Sequence, residues 1–230
     1  HPGWMDQYLE LKGDENGKIP AGMHAKWYAA DQANTALYKK AENNLENITE
    51  VGPDNVGGRN RSIIIDRFNA NRFLCAGVSG GIWVSENKGA SWAIVDNNAP
   101  TLSATCMTQS PFDKDVFYYG TGEAFGNSAD LGGLGLFRSR DGAKTFEHLT
   151  HTATNALNGI WDVEHSLTLD STIYVATHTS GVWRSTDGGA TFSRVSQMPS
   201  GRVHEIKATD DGYIMAAFDA YGIVKMKEDD

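Results

Sequence analysis

Four carboxylates, three arginines and three histidines have the side-chain types that could carry chemistry in this chain: Glu123, Asp162, Glu164 and Asp219; Arg59, Arg61 and Arg202; His165, His178 and His204. Cleaving a glycosidic bond takes two carboxyl groups at a set separation across a sugar, and clustered guanidinium groups hold a carboxylate. No local motif chooses a pair among the four acids, and loop solvation or backbone-turn hydrogen bonding accounts for them equally well. The histidines lack the close spacing of a metal site, so no metal is assigned. Gly57-Gly58 joins no strand to a helix and is no phosphate loop. No cofactor is expected. Cys75 and Cys106 are the only cysteines. Both sit in apolar stretches, which suits buried thiols, and a disulfide would need those stretches to be adjacent.

These residues have to be positioned by something, and the sequence repeats. Ser85-Glu-Asn87-Lys-Gly89-Ala-Ser91-Trp92, Ser139-Arg-Asp141-Gly-Ala143-Lys-Thr145-Phe146 and Ser185-Thr-Asp187-Gly-Gly189-Ala-Thr191-Phe192 are three copies of one turn. Gly81, Gly135 and Gly181 begin the apolar stretch before each copy, and Gly222-Ile-Val-Lys begins a fourth. The Asp or Asn of the turn accepts backbone N–H groups, glycine supplies positive φ, and the closing aromatic packs back under a hairpin. Asp141 and Asp187 therefore serve the turn.

Each repeat holds four short apolar stretches, Ser62–Asp66, Arg72–Val78, Gly81–Ser85 and Ser91–Val95 in the first. A small residue marks the second stretch, at Ala76, Gly120, Ala176 and Ala217. Four strands every forty to fifty residues is the pattern of propeller blades. The fold expected is all-β: an N-terminal extension over 1–50 with an amphipathic helix (Met23, Trp27, Ala30, Ala33, Leu37, Ala41, Leu45 and Ile48 form its apolar stripe), then four blades over 51–230. The last blade has three strands, so the chain reads as the N-terminal part of an incomplete ring. Between Gly120 and Gly135 the second repeat holds ten extra residues within Gly122–Leu134, either a plug or a recognition loop.

Net charge is −9, which argues against a general nucleic-acid or anionic-membrane binder. No apolar run is long enough to span a bilayer as a helix.

The doubled markers resemble the Asp-box (BNR-repeat) β-propellers, a superfamily that includes sialidases and sortilin-type domains. Gly52-Pro53-x-Asn55-Val56-Gly57-Gly58-Arg59-x-Arg61, Gly77-x-Ser79-Gly80-Gly81-x-Trp83-x-Ser85 and Tyr119-Gly120-Thr121-Gly122-Glu123 are similar to the large secreted propeller proteins of bacteria with a type IX secretion system. The sialidase Arg-Ile-Pro segment is absent. The resemblance implies that first strands line a central channel, and that loops after second strands share one face with the blade connections. That face would hold Arg59, Arg61, Glu123, Phe125, Asn127, Asp130, the inter-blade segment Asn155–Asp162, His178, Arg202, Asp219 and Tyr221, with the Asp-box turns opposite or at the rim. It implies a secreted or cell-surface binding or scaffold protein, exported through the periplasm, with a protein or glycan partner and possible contact with outer-membrane components. The alternative is a glycan-cleaving hydrolase using Glu123, Asp162 or Asp219.

Overall fold

The computed structural model describes residues 59–96, 98–123 and 132–229. The expected extension over 1–50, and Phe125, Asn127 and Asp130 of the insertion, lie outside the described residues.

The described residues form four antiparallel sheets and one short 3-10 turn, Thr150–Thr152. The first sheet runs β1 (Asn60–Ile65), β2 (Phe73–Gly77), β3 (Gly81–Ser85), β4 (Ala93–Ile94). The second runs β5 (Ala104–Gln109), β6 (Phe117–Thr121), β7 (Leu136–Ser139), β8 (Glu147–His148). The third is β9 (Ile160–His165), β10 (Ile173–Thr177), β11 (Val182–Ser185), β12 (Ser193–Arg194), and the fourth is β13 (Val203–Ala208), β14 (Tyr213–Phe218), β15 (Gly222–Lys227). Strands pair in chain order within every sheet, and the first strands pack side by side in the order β1, β5, β9, β13. This is the architecture of β-propeller blades.

A blade between two neighbours must bury both faces, which is why β6 reads Phe-Tyr-Tyr-Gly-Thr with all five residues buried. Three apolar cores result, one between each consecutive pair of blades. Leu74 and Ile82 meet Met107 and Tyr119; Tyr118 and Leu136 meet Ile160 and Val175; Tyr174 and Val182 meet Ile206 and Ile214. Burying each such side chain is worth roughly 1.5–3 kcal/mol. The small residues of the second strands let the faces approach. A Cβ on Gly120 would lie 2.4 Å from Ile160 Cγ2 and 2.7 Å from Cys106 Sγ.

The repeated turn closes by hydrogen bonds. Ser85, Ser139 and Ser185 Oγ accept from the N–H of Gly89, Ala143 and Gly189 at 2.8, 2.9 and 2.8 Å. The same hydroxyls donate to Asn87, Asp141 and Asp187, whose Oδ1 accepts the N–H of Ser91, Thr145 and Thr191. Thr145 and Thr191 hydroxyls donate to the second carboxylate oxygen at 2.6 Å. Asn87 has no second oxygen and donates its amide to Ser91 Oγ instead. Two successive left-handed residues make the bend: Lys88–Gly89, Gly142–Ala143 and Gly188–Gly189. Ala143 holds that conformation at φ 57°, so glycine is favoured there but not obligatory. Hydrogen bonds from Thr191, its hydroxyl first, hold Asp187 down to about 2.

The turn of one blade is also gripped by the blade before it. Tyr118 OH and Arg138 Nη1 both donate to Gly188 O, at 3.0 and 2.5 Å. Arg72 Nη2 donates to Gly142 O, and Arg184 Nη1 to Glu228 O. Replacing Ser185 with Ala leaves the buried Gly189 N–H without its acceptor. The expected cost is about 1–3 kcal/mol, read as a lower urea midpoint; an unchanged midpoint would remove this hydroxyl from the account of the turn.

Candidate functional site

Each first strand carries a β-bulge at the same register. Asn60 and Ser62 oppose Gly77 and Ala76, leaving Arg61 as the extra residue. In the following blades the extra residue is Thr105, Trp161 and His204. A bulge breaks the alternation of a strand and re-aims one side chain. All four bulge residues line an open inner cleft of about 720 Å³.

At the mouth of the cleft, side chains from all four blades meet. The buried Trp161 donates its indole N–H to Glu123 O at 3.1 Å, and the Glu123 carboxylate pairs with Arg59. His178 and His204 lie against the Trp161 ring with centroids 5.3 and 4.6 Å away, and the Arg202 guanidinium stands 5.5 Å from it. Arg202 Nη1 pairs with Asp219 at 3.2 Å, and its Nη2 donates to His178 Nε2 at 2.9 Å. His204 Nε2 contacts the other Asp219 oxygen. Asp219 is held below the usual carboxylate range, first by His204 and then by Arg202. Tyr221, exposed, leaves the same three-residue hairpin loop as Asp219 and sets its ring edge-on to Phe218.

Asp162, Glu164, Glu205 and Lys207 also line the cleft. Lys207 Nζ is 3.1 Å from Asp162 and 3.8 Å from Glu164. The two carboxylates share Lys207 and therefore stand no more than about 7 Å apart, a limit that overlaps the separations a glycosidase uses. Burial pushes Glu164 up to about 7, against the pull of Lys207, and raises Asp162 too. Both acids also join blades. Asp162 Oδ2 accepts Ile206 N–H at 3.0 Å, the position at which Ser62 Oγ accepts Met107 N–H two junctions earlier. Glu164 takes the backbone of Ala208, as Thr108 Oγ1 takes His165 N–H.

Arg61 lines the cleft below Arg59, and burial, then the nearby Arg59 guanidinium, lowers its proton affinity. The structure thus brings together Arg59, Glu123, His178, Arg202 and Asp219 at the mouth, places Arg61 and Asp162 inside, and leaves Tyr221 on the rim. Phe125 and Asn127 lie outside the described residues. His165 is a core residue, bonded to Ser166 O and packed on Phe112 and Tyr118. Cys75 and Cys106 are buried free thiols, the first pushed up to about 11 by burial. The sequence placed the segment Asn155–Asp162 on this face without singling out Trp161 as its centre, and read His204 only as a histidine outside any metal spacing. Aligning the first strands on the small-residue marker would have matched them to Arg61, but the bulge that re-aims them has no residue signature.

The roots of the insertion are fixed to the next blade. Gly133 N–H donates to Asn158 O at 2.9 Å, and a Cβ on Gly122 or Gly133 would fall 2.1 or 2.3 Å from that oxygen.

No protein-family model matches the chain, and no curated protein does. Solved structures that resemble it are β-propellers. An ancestral GH74 enzyme superposes over 75 % of this chain with a TM-score of 0.58 and 18 % identity. The GH74 enzyme of Niastella koreensis covers 73 % with a TM-score of 0.56 and 22 % identity. The extracellular domain of a hybrid two-component system from B. thetaiotaomicron covers 76 % with a TM-score of 0.55 and 13 % identity. The matched region spans 25, 28 and 24 % of those chains, so this chain covers about a quarter of each. At these identities the likeness is one of fold.

The raised Glu164 sets a pH dependence with a definite sign. A carboxyl with higher proton affinity in the folded state keeps its proton where the unfolded chain has released it. Its contribution therefore falls as pH rises from about 4.5 to about 7. Glu164→Gln keeps an acceptor for the Ala208 backbone and cannot ionise. Relative to the parent it is expected to gain up to about 3 kcal/mol near pH 8 and little near pH 4, measured by urea denaturation at both. Equal differences at the two pH values would mean that Lys207 already compensates the charge.

Proposed function

We propose that this chain is a secreted or cell-surface binding and scaffold propeller of the Asp-box (BNR-repeat) type, recognising a protein or glycan partner at the mouth of its inner cleft. The observation that carries the reading is the convergence of Arg59, Glu123, Trp161, His178, Arg202, His204 and Asp219, drawn from four blades, on one opening. Arg59, Arg202, His204 and Asp219 are each about half exposed, and the exposed Tyr221 follows two residues after Asp219 on the same loop. Charged planar groups held by one another, next to an exposed ring, supply directional hydrogen bonds and a stacking face at little ordering cost. The serine–aspartate hydrogen bonding of the repeated turn supports the Asp-box assignment. The likeness of the segments around Arg59, Trp83 and Glu123 to secreted propellers supports export through the periplasm to the cell surface by a type IX system. The extracellular domain among the similar structures is in keeping with that address.

A glycan-cleaving hydrolase is the second reading, favoured by Asp162 and Glu164, with Glu164 protonated near neutrality as a general acid must be. Two things weigh against it. Lys207 stands between the acids, and hydroxyl side chains fill the same joining role in the earlier blades. Glu123 and Asp219, the other catalytic candidates, are each paired with an arginine at the mouth.

The test is a panel of cell-surface glycans and purified outer-membrane proteins, scored for binding and for sugar release. For a partner bound by the parent, Arg202→Ala and Tyr221→Ala are each expected to weaken binding about tenfold or more, in line with the loss of a hot-spot contact. Glu164→Gln should leave binding unchanged. Sugar release that disappears in Glu164→Gln and Asp162→Asn would establish the hydrolase instead.

A further inference from the structure

Two imidazoles flank Trp161, and their partners ask opposite things of them. His178 Nε2 faces Arg202 Nη2 at 2.9 Å. A guanidinium only donates, so that nitrogen must be a lone-pair acceptor and the ring must be neutral. His204 Nε2 faces a carboxylate oxygen of Asp219, so it donates and is compatible with the charged ring. Arg202 joins the two halves, one amino group on His178 and the other on Asp219. Its guanidinium is therefore occupied on both sides while His178 is neutral, although its side chain is 44 % exposed.

We propose that His178 is an acid-sensitive latch on Arg202, and that the mouth engages a partner's carboxylate group when His178 is protonated. The inference rests on the binding reading above and names how that site is regulated. Protonation puts an N–H where Arg202 already presents one, and adds a positive charge beside the guanidinium. The contact changes from a hydrogen bond to a repulsion. Arg202 then keeps Asp219 and the Trp161 ring and turns its freed edge to the opening. The charges of the mouth change in the same direction. With His178 charged, His178 and Arg202 add two positive charges beside the Asp219 carboxylate, whereas Arg59 and Glu123, which pair beside the Trp161 indole N–H, neutralise one another. An anionic group is then favoured at a position that offered it little before. Histidine is the side chain whose charge changes across mildly acidic pH, which makes it the group on which such a switch can act.

Nothing else on these elements supplies the same switch. Asp162, the next residue after Trp161, points into the cleft and is bound to Val163 N–H, Ile206 N–H and Lys207. Glu205, the next after His204, faces Lys207. The latch is thus separate from these acids.

The experiment uses the full 230-residue chain. Side-chain NMR of His178, Arg202 and the Trp161 indole is followed from about pH 7.5 to about pH 5.5, alone and with D-glucuronate or an acetylated glutamate amide as the carboxylate probe. Both probes remain ionised across this range, so any change belongs to the protein. The expected result is that Arg202 resonances move with the His178 titration, and that a probe binds about tenfold more tightly at the lower pH. His178→Gln keeps an acceptor for Arg202 and cannot be protonated; it is expected to remove most of that difference while leaving the Trp161 indole resonance in place. Whichever probe binds more tightly indicates whether sugar acids or acidic side chains are the source. Equal affinity at both pH values overturns the latch and leaves the binding reading standing. Titration of His178 without movement of Arg202 also overturns it, whatever the probes do. Failure of both probes to perturb the mouth at either pH overturns carboxylate recognition. The binding reading itself is judged separately, by the effect of Arg202→Ala and Tyr221→Ala on the panel.

Discussion

Among the described residues neighbouring blades share no backbone ladder, so everything else in this structure depends on how one sheet is fastened to the next. Apolar faces supply most of the attraction, and it is non-directional. Register comes from side chains that reach across and bond to backbone. Near the cleft, Ser62, Thr108, Asp162 and Glu164 accept N–H groups from the following first strand. At the far edge, Arg72, Arg138 and Arg184 donate to carbonyls in the following blade's turn region. One set acts at the inner strand and the other at the outer turn, which fixes both the distance and the tilt between sheets.

This arrangement explains why polar residues are buried in the blades at all. Arg138 is 9 % exposed, yet its guanidinium has Gly188 O and the Glu147 carboxylate as partners. A buried polar group with partners costs little, and without them costs several kcal/mol. One oxygen of Glu228 follows the same rule: Ser166 and Thr168 hydroxyls donate to Oε2 at 2.9 and 2.5 Å, joining the fourth blade to the third, while Oε1 is buried without a hydrogen-bond partner among the described residues. The same logic makes the cleft acids ambiguous as chemistry. A carboxylate that joins two strands sits where a catalytic acid could sit, and its raised proton affinity follows from burial in either role.

The mouth differs because its contacts do not repeat. The bulge recurs in every first strand, but the residue it re-aims is Arg, Thr, Trp or His. A repeated backbone feature thus presents four different side chains to one opening. Glu123 adds a fifth from the root of the insertion, and Asp219 a sixth from the short connection of the fourth blade. Divergence at equivalent positions of a rigid scaffold is where recognition is built most cheaply, since the scaffold has already ordered the backbone.

The sequence by itself determined the local backbone. Ser, Asp and paired left-handed residues dictate the turn, because each bond closes within four residues. The small-residue marker dictates where sheets can approach, and the two together gave four repeats with an insertion in the second. The positions of Arg59, Glu123, His178, Arg202 and Asp219 on one face followed from the fold that the repeats resemble. Only the tertiary structure decided which of them touch. Arg59 meets Glu123 across 64 positions, and Trp161 meets Glu123 across 38, separations for which no periodicity carries information. It also decided the bulges that turn Trp161 and His204 toward the cleft, and the burial that raises Glu164. Hydrogen bonds that close within a turn are written in neighbouring residues. Charge states and side-chain directions at a junction depend on what the next blade places there, and that is settled only when the sheets pack.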